Sequence, residues 1–315
     1  MKIFRGLNEY IALHNPVVTT GTFDGVHLGH QQIIQRTKRE ASRINGTDLL
    51  ITFWPHPRQV IKHDSDIRLL STIDEKIRIF EEKGVSNLLI IPFTEKFAKI
   101  EPHVFVNEVI VNLIKAKVMV VGYDHRFGHN RSGSFSFLKE NEKTGDYQIV
   151  EVPAFDVNDF TVSSTKVRNA LFTGNVDLAN LFLGYKYSIS GKVVEGMKLG
   201  EKIGFPTANI MIDHPYKLLP KDGVYICYIE VKNKQYQGML NIGFNPTVSD
   251  KGWSFEVNIL DFNENIYGEN VRVDFLHRIR DEEKYENIDF LKAQILLDYR
   301  YTMEYFHRKT SINES

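Results

Sequence analysis

The feature that most restricts the fold is a change of pattern part-way along the chain. Up to about residue 183, short apolar runs alternate with amphipathic stretches. Strands are expected at Val17–Phe23, Leu49–Trp54, Asn87–Pro92, Val118–Gly122 and Gln148–Val152. Helices are expected between them at His30–Asn45, Ile73–Gly84, Pro102–Lys115 and Phe135–Thr144. Pro102 suits a first helical turn and Gly84 a helix C-terminus. Continuous apolar strands that alternate with helices predict a parallel α/β sheet covered on both faces. From Tyr187 onward strands follow one another: Tyr187–Val194, Gly223–Val231, Gln235–Ile242, Trp253–Leu260 and Val271–Arg278. Turn clusters such as Lys232-Asn233-Lys234 separate them, which predicts a small antiparallel barrel or sandwich. A last helix carries Ile288, Leu291, Ile295, Tyr299, Met303 and Phe306 on one apolar face. The boundary falls near Leu183-Gly184-Tyr185, dividing the chain into residues 1–184 and 185–315.

A length of 315 residues accommodates two such domains. The net charge of −1 offers no basic surplus for nucleic acid. The single cysteine, Cys227, excludes an intrachain disulfide and suits a reducing compartment. No apolar run approaches the ~20 residues that span a bilayer, and the first residues lack the apolar stretch of a secretory signal. These traits point to a cytoplasmic protein that acts on small molecules, without nucleic-acid or membrane partners.

The chemistry gathers after strand ends. Residues 21–31, GTFDGVHLGHQ, join a strand to a helix and carry Gly25, Gly29, His27 and His30. A helix N-terminus presents unpaired N–H groups and a partial positive charge. Glycines admit close backbone approach, and the imidazoles add donors, so the turn suits a polyphosphate. Of the eleven histidines, His27, His30, His56, His125 and His129 fall just after strand ends, and in a parallel α/β sheet those ends share one edge. Thr161-Val162-Ser163-Ser164-Thr165-Lys166-Val167-Arg168 adds hydroxyls and cations at a helix start, although the hydroxyls also suit simple capping. A metal bound by His27 and His30 is disfavoured, because the pair straddles a loop and no HExxH glutamate accompanies it.

GTFDGVHLGHQ resembles the HxGH signature of the cytidylyltransferase-like nucleotidyltransferases, and VSSTKVR their second phosphate-binding motif. With F-x-PHP at residues 53–57 and VGxDxRFGxxRxG at residues 121–133, the first half resembles the FMN adenylyltransferase module of the bacterial bifunctional riboflavin kinase/FAD synthetase family. The resemblance implies a Rossmann-like nucleotidyltransferase domain. In it His27 and His30 hold ATP phosphates and stabilise the leaving pyrophosphate. Phe23, Asp24, Gly25 and Gly29 line the nucleotide pocket, Ser164, Thr165 and Arg168 grip the β and γ phosphates, and Asp124 and Arg126 position the flavin or adenylate moiety.

The second half contains GKVVEG at 191–196 and GEKIGFPTAN at 200–209, with no Walker A pattern. Glycine-rich lysine loops are often only turns. GxxxGFPTANI nevertheless resembles the ATP- and Mg²⁺-binding loop of riboflavin kinase. NIGFNPTV at 241–248, FEVNILDF at 255–262 and RIRDE at 278–282 resemble later segments of that family. The resemblance implies a six-stranded Greek-key barrel, with Lys192, Gly204, Pro206, Thr207 and Asn209 forming the ATP loop. Thr207 and Asn209 are suitable oxygen donors for Mg²⁺. Riboflavin's hydroxyl needs a base, and Glu256 is the candidate, against the bland reading of a solvent-facing glutamate on an alternating strand. Arg280 either contacts the flavin product or pairs with Asp281 or Glu282. The expected activity is phosphorylation of riboflavin to FMN and adenylylation of FMN to FAD, both from ATP. The alternatives are a lone adenylyltransferase with an inert barrel and a non-catalytic flavin-binding regulator.

Overall fold

Alternate residues of the first strands go to opposite faces of one sheet, and both faces are buried. Val18, Met119 and Val121 pack with Phe105, Val109 and Ile110 on one side; Val17, Val118 and Val120 pack with Ala41 on the other. The computed structural model describes residues 1–61, 67–123, 127–128, 133, 135–142, 147–157, 160–196, 199–244 and 253–313. They form two compact units, Met1–Ser164 and Thr165–Ser315.

The first unit holds β1 (Lys2–Arg5), β2 (Pro16–Thr20), β3 (Thr47–Trp54), β4 (Asn87–Pro92), β5 (Val118–Gly122) and β6 (Gln148–Val152) in one sheet of order β1-β4-β3-β2-β5-β6. Every pairing in it is parallel. The chain steps one way from β2 to β4, then returns to the other side of β2 with β5. The strand order therefore reverses between β2 and β5, and the carboxyl ends at such a reversal are where sheets of this kind bind ligands.

Three local features depart from the sequence pattern. β2 stops at Thr20 rather than Phe23, because Phe23 adopts a left-handed φ of 48° that no strand accommodates. Lys2–Arg5 forms an edge strand with Phe4 as its buried residue, too short a signal to read. The segment after Pro102 is a single α turn, Pro102–Val104, continued by a π-helix, Phe105–Leu113, whose winding puts Phe105, Val106, Val109 and Ile110 on the buried side. Pro102 does occupy the first turn, and Gly84, with φ 69°, follows the helix Ile73–Glu82.

After a short hairpin, β7 (Asp156–Val157) with β8 (Phe160–Thr161), the second unit forms a closed barrel. Its strands are β9 (Ser188–Val194), β10 (Ala208–Ile212), β11 (Gly223–Val231), β12 (Lys234–Phe244), β13 (Trp253–Ile259) and β14 (Asn270–Arg280), all antiparallel. Around the barrel, β14 lies beside β11, followed by β12 and β13, which is the Greek-key arrangement. The sixth strand, β10, lies in the stretch that sequence pattern reads as a glycine-rich loop. Phe275 sits at the aromatic centre, against Tyr187, Tyr225 and Phe255. The helix Val176–Leu183 also joins this unit: the Asn180 amide donates to the Phe275 carbonyl at 2.9 Å and its oxygen accepts the Tyr187 N–H at 2.6 Å.

The last helix, Ile288–Asn313, packs Tyr299, Met303 and Phe306 against Ile226, Leu260 and Leu276. Ile288, expected on that face, is 47% exposed at the first turn. The helix is also held by charge. Asp298 is buried and accepts two bonds from Arg280 on β14, at 3.0 Å from Nε and 2.7 Å from Nη2, plus one from Gln294 at 2.9 Å. A planar guanidinium meets a carboxylate in this two-pronged way more firmly than a lysine can. Removing one partner of such a pair leaves the other uncompensated, so Asp298→Ala is expected to lower barrel stability by about 3 kcal/mol. Equilibrium urea unfolding followed by far-UV circular dichroism measures this, and an unchanged midpoint would remove the pair from the account.

Candidate active sites

The signature loop after β2 is held in a costly conformation. Phe23, Gly25 and Val26 have φ of 48°, 79° and 37°. For glycine this is free, but a buried phenylalanine and a β-branched valine each carry about 1–3 kcal/mol of strain there. Restraint comes from the segment before the helix Ile73–Glu82. The Asp24 carboxylate accepts the Leu70 N–H at 3.1 Å and the Ser71 N–H at 3.2 Å, and the Ser71 hydroxyl accepts the Gly25 N–H at 2.9 Å. Bonds to a carboxylate contribute about 1.5–3 kcal/mol each, enough to offset the strain. From the helix side, the Gln31 amide donates to the Val26 carbonyl at 2.9 Å. The Ser164 hydroxyl donates to the Asp24 carbonyl at 2.9 Å, so the second motif begins against the first.

His27 caps the helix Leu28–Arg43: its Nδ1 accepts the His30 N–H at 3.4 Å, which leaves the ring proton on Nε2. The two imidazoles stack with centroids 3.7 Å apart and planes 19° from parallel. Gly29 lies between them in sequence, and a Cβ there would press to 3.3 Å on the His27 ring. Phe23 meets His30 edge-on at 5.3 Å and Phe80 at 5.8 Å. Burial, then His27 and Lys76, hold the His30 imidazole well below the usual histidine range, so it is uncharged at neutral pH. Its Nδ1 is buried and has no hydrogen-bond partner among the described residues; the Thr20 hydroxyl at the carboxyl end of β2 is in the same state. Two orphaned polar atoms at the edge where the strand order reverses fit a ligand that supplies their partners.

Of the remaining expected residues of this half, Asp24 is buried, with its carboxylate on the Leu70 and Ser71 amides. Thr165 and Arg168 lie in the helix Ser164–Phe172 and belong to the second compact unit. Asp124, His125 and Arg126 lie outside the described residues, as does His129. His56 is buried, and its ring nitrogen accepts the Arg58 N–H at 3.2 Å, so it caps a short helix. Sequence reasoning missed Leu70, Ser71 and Lys76. The Thr72–Glu75 capping box is legible, but nothing in it says that the turn grips a loop some fifty residues earlier.

In the barrel, Glu256 on β13 stands in register with Asn209 on β10 and Asn241 on β12. Cross-strand partners share a face. Glu256 is half-buried, and the Thr207 hydroxyl donates to its Oε2 at 3.1 Å. Burial, and to a lesser degree Glu282, push its carboxyl above the usual glutamate range, while the Thr207 bond acts the other way. The Asn258 amide donates to the Pro206 carbonyl at 2.7 Å, anchoring the segment that presents Thr207. Gly204, at φ 91°, turns the chain into it. Asn209 thus lies on a strand rather than in a flexible loop. Lys192 is exposed on β9, in register with Met211 and Asn270. Arg280 departs from both of its expected ion-pair partners. Its guanidinium is taken by Asp298, and only the carbonyl of Asp281 meets it, at 2.9 Å from Nη1. The reason is reach: β14 passes beneath the last helix, whose buried carboxylate lies closer than the exposed side chains next in sequence.

A FAD synthetase family model matches residues 11–166, and a riboflavin kinase family model matches residues 183–306. The bifunctional riboflavin kinase/FMN adenylyltransferase of Bacillus subtilis is 36% identical, over 92% of this chain and 92% of its own length. The protein of the same name from Escherichia coli K12 is 34% identical, over 97% and 98%. A crystal structure from Streptococcus pneumoniae, described as a macrolide-efflux protein, is 31% identical with a TM-score of 0.87, and covers 96% of this chain and 99% of that one. Among the described residues, no helix is long and apolar enough to cross a membrane. With both family models matched and relatives aligned over nearly their whole length, this chain belongs to the bifunctional riboflavin kinase/FMN adenylyltransferase family.

Proposed function

We propose that residues 185–315 phosphorylate riboflavin to FMN with ATP and that residues 1–184 adenylylate FMN to FAD, releasing pyrophosphate. The observation that carries the first half is the stacked pair His27 and His30, with an orphaned ring nitrogen, at the carboxyl edge where the strand order reverses. FMN's phosphate is already an anion, so its attack on the α-phosphate of ATP needs no base. It needs two anions brought together and a leaving pyrophosphate stabilised. An uncharged His30 imidazole gives a hydrogen bond to a phosphate oxygen without a desolvated charge when the site is empty. Gly25 and Gly29 admit the phosphates to backbone N–H groups, and Phe23 packs edge-on against His30; Ser164, Thr165 and Arg168 are assigned to the β and γ phosphates by resemblance alone. Asp124 and Arg126 are assigned to the flavin or adenylate by resemblance alone.

In the barrel, Glu256 removes the proton from riboflavin's terminal hydroxyl as the oxygen attacks the γ-phosphate of ATP. Its raised carboxyl makes it a better base than an exposed glutamate, and the Thr207 hydroxyl orients it. Lys192, Gly204 and Pro206 belong to the ATP loop. Mg²⁺ suits the Thr207 hydroxyl and the Asn209 amide, because a hard cation takes few protein oxygens and completes its shell with water and phosphate. Asn209 stands in register with Glu256 and the Thr207 hydroxyl bonds to it, so the candidate oxygens lie together, and burial holds the Glu256 carboxyl above the usual glutamate range. When bound, the ion supplies charge neutralisation on the phosphates. Arg280 contributes by holding the last helix to β14, beyond any contact with flavin. The reaction is confined to small molecules, and we infer a cytoplasmic setting from the single cysteine and the lack of apolar spans in the sequence.

Two tests separate the activities. Replacing His27 or His30 with Asn is expected to slow FAD formation from FMN by about a hundredfold, since one transition-state donor is worth about 3 kcal/mol. FMN formation from riboflavin by the same preparation should stay near wild type. Normal adenylylation in both variants would show that the stacked pair does not serve the reaction.

Glu256→Gln keeps size and hydrogen bonding but loses the base. Riboflavin phosphorylation should fall by about 10²–10⁴, while supplied FMN is still converted to FAD. The base must be ionised, and its carboxyl is raised, so wild-type FMN formation should decline with falling pH at a higher pH than an ordinary glutamate dictates. The variant should lack that decline. Equal loss of both activities in the variant would indicate misfolding, and no loss would return Glu256 to a structural role.

A further inference from the structure

Lys76 is only 2% exposed, among the largest fully buried side chains of the chain. It lies on the helix Ile73–Glu82, just after the turn that grips the signature loop. Its Nζ donates to the Thr22 carbonyl at 3.1 Å and sits 5.5 Å from the centre of the Trp54 ring. The side chain of Thr52 donates to the same carbonyl at 3.4 Å. An ammonium carries three donors, so one hydrogen bond and one aromatic face are meagre compensation for leaving water. A methionine would fill the same space without that cost. A buried cation kept beside the ligand-facing loop calls for a functional reason.

We infer that Lys76 is a positioning residue for adenylyl transfer: its ammonium ties down the Thr22 carbonyl beneath the signature loop and sets a fixed positive charge beside the stacked imidazoles. The inference rests on reading the first unit as the adenylyltransferase site. The charged and titratable groups that face Lys76 are Asp24 from the signature loop and His30, with His27 stacked on it, from the helix Leu28–Arg43. Thr22, Thr52 and Trp54 are neutral, and Glu75 on its own helix is turned to the Thr72 N–H at 2.9 Å. Asp24 supports the ammonium but is shared with the Leu70 and Ser71 amides. Lys76 in turn disfavours a proton on His30, so that ring meets the nucleotide as a neutral donor and acceptor. Burial brings the ammonium down to about 8, against the pull of Asp24. Its charge is therefore present at neutral pH and lost as the pH rises through that value.

The test uses the full chain with ATP, Mg²⁺ and FMN. In the wild type, FAD formation should decline at alkaline pH with a midpoint near 8. In Lys76→Met the decline should vanish, and kcat for FAD formation should fall about tenfold or more through misplacement of the loop. FMN formation from riboflavin should be unchanged in the variant. ¹³C-histidine NMR should show His30 titrating at higher pH in the variant than in the wild type, a shift that lost packing alone does not produce. An unchanged His30 titration, or undiminished FAD formation, overturns the inference. If the variant does not fold, a wild-type profile flat through pH 8 overturns it, and an alkaline limb supports it. A wild type that makes no FAD overturns the reading of the site instead; the His30 titration then still decides whether Lys76 sets the charge of that ring.

Discussion

The carboxylate of Asp24 on the amides of Leu70 and Ser71 is the restraint on which the first site depends. Together with the Ser71, Gln31 and Ser164 bonds, it holds Phe23 and Val26 at left-handed dihedrals that cost about 1–3 kcal/mol each. That backbone path aims the loop, places Phe23 under His30, and starts the helix at Leu28 so that His27 caps it. Charge on a buried carboxylate is here put to mechanical use: it accepts bonds from two backbone N–H groups and in return helps to fix a strained loop. On the proposed reading, strain at this turn, over-determined by its surroundings, keeps the site ready before its substrate arrives.

The barrel solves a different problem. Its fold is closed, so no edge strand remains to be managed, and precision comes from register rather than from a clamped loop. Asn209, Glu256 and Asn241 fall into one row because three antiparallel strands are paired without a slip there. A shift of one residue on β13 would exchange Glu256 for Phe255 or Val257. The two sites thus differ as their nucleophiles do. A phosphate anion needs donors held in place, and on the proposed reading the first unit supplies the stacked pair His27 and His30. A hydroxyl needs a base, and on the proposed reading that base is Glu256, whose acidity burial weakens.

Much of this was legible from the chain alone. Strands β4, β5 and β6 of the parallel sheet and the barrel strand β11 lie where apolar runs and turn residues put them, because periodicity reports burial directly. The residues of the HxGH turn were legible too, since glycine and histidine together at a strand-to-helix junction have a chemical reason. Illegible were β10, whose Ala-Asn-Ile-Met-Ile follows a glycine-rich stretch and alternates weakly, and Lys76, which looks like any helix-surface lysine in sequence. For Arg280 the ion-pair alternative named the wrong carboxylates, because Asp281 and Glu282 are adjacent and Asp298 is not.

Sequence by itself determined the two kinds of sheet, the approximate place of the longer helices, and the inventory of histidine, hydroxyl and charged side chains, all of which depend on residues within a few positions of one another. Only the tertiary structure decided which of those side chains meet. The Asp24 clamp, the ammonium of Lys76 under Thr22, the Thr207–Glu256 bond and the Arg280–Asp298 pair each join segments separated by eighteen residues or more. Such pairings are set by strand order and register, and a charge becomes buried only when two distant elements close over it, so neither its partner nor its altered acidity is written in the local sequence.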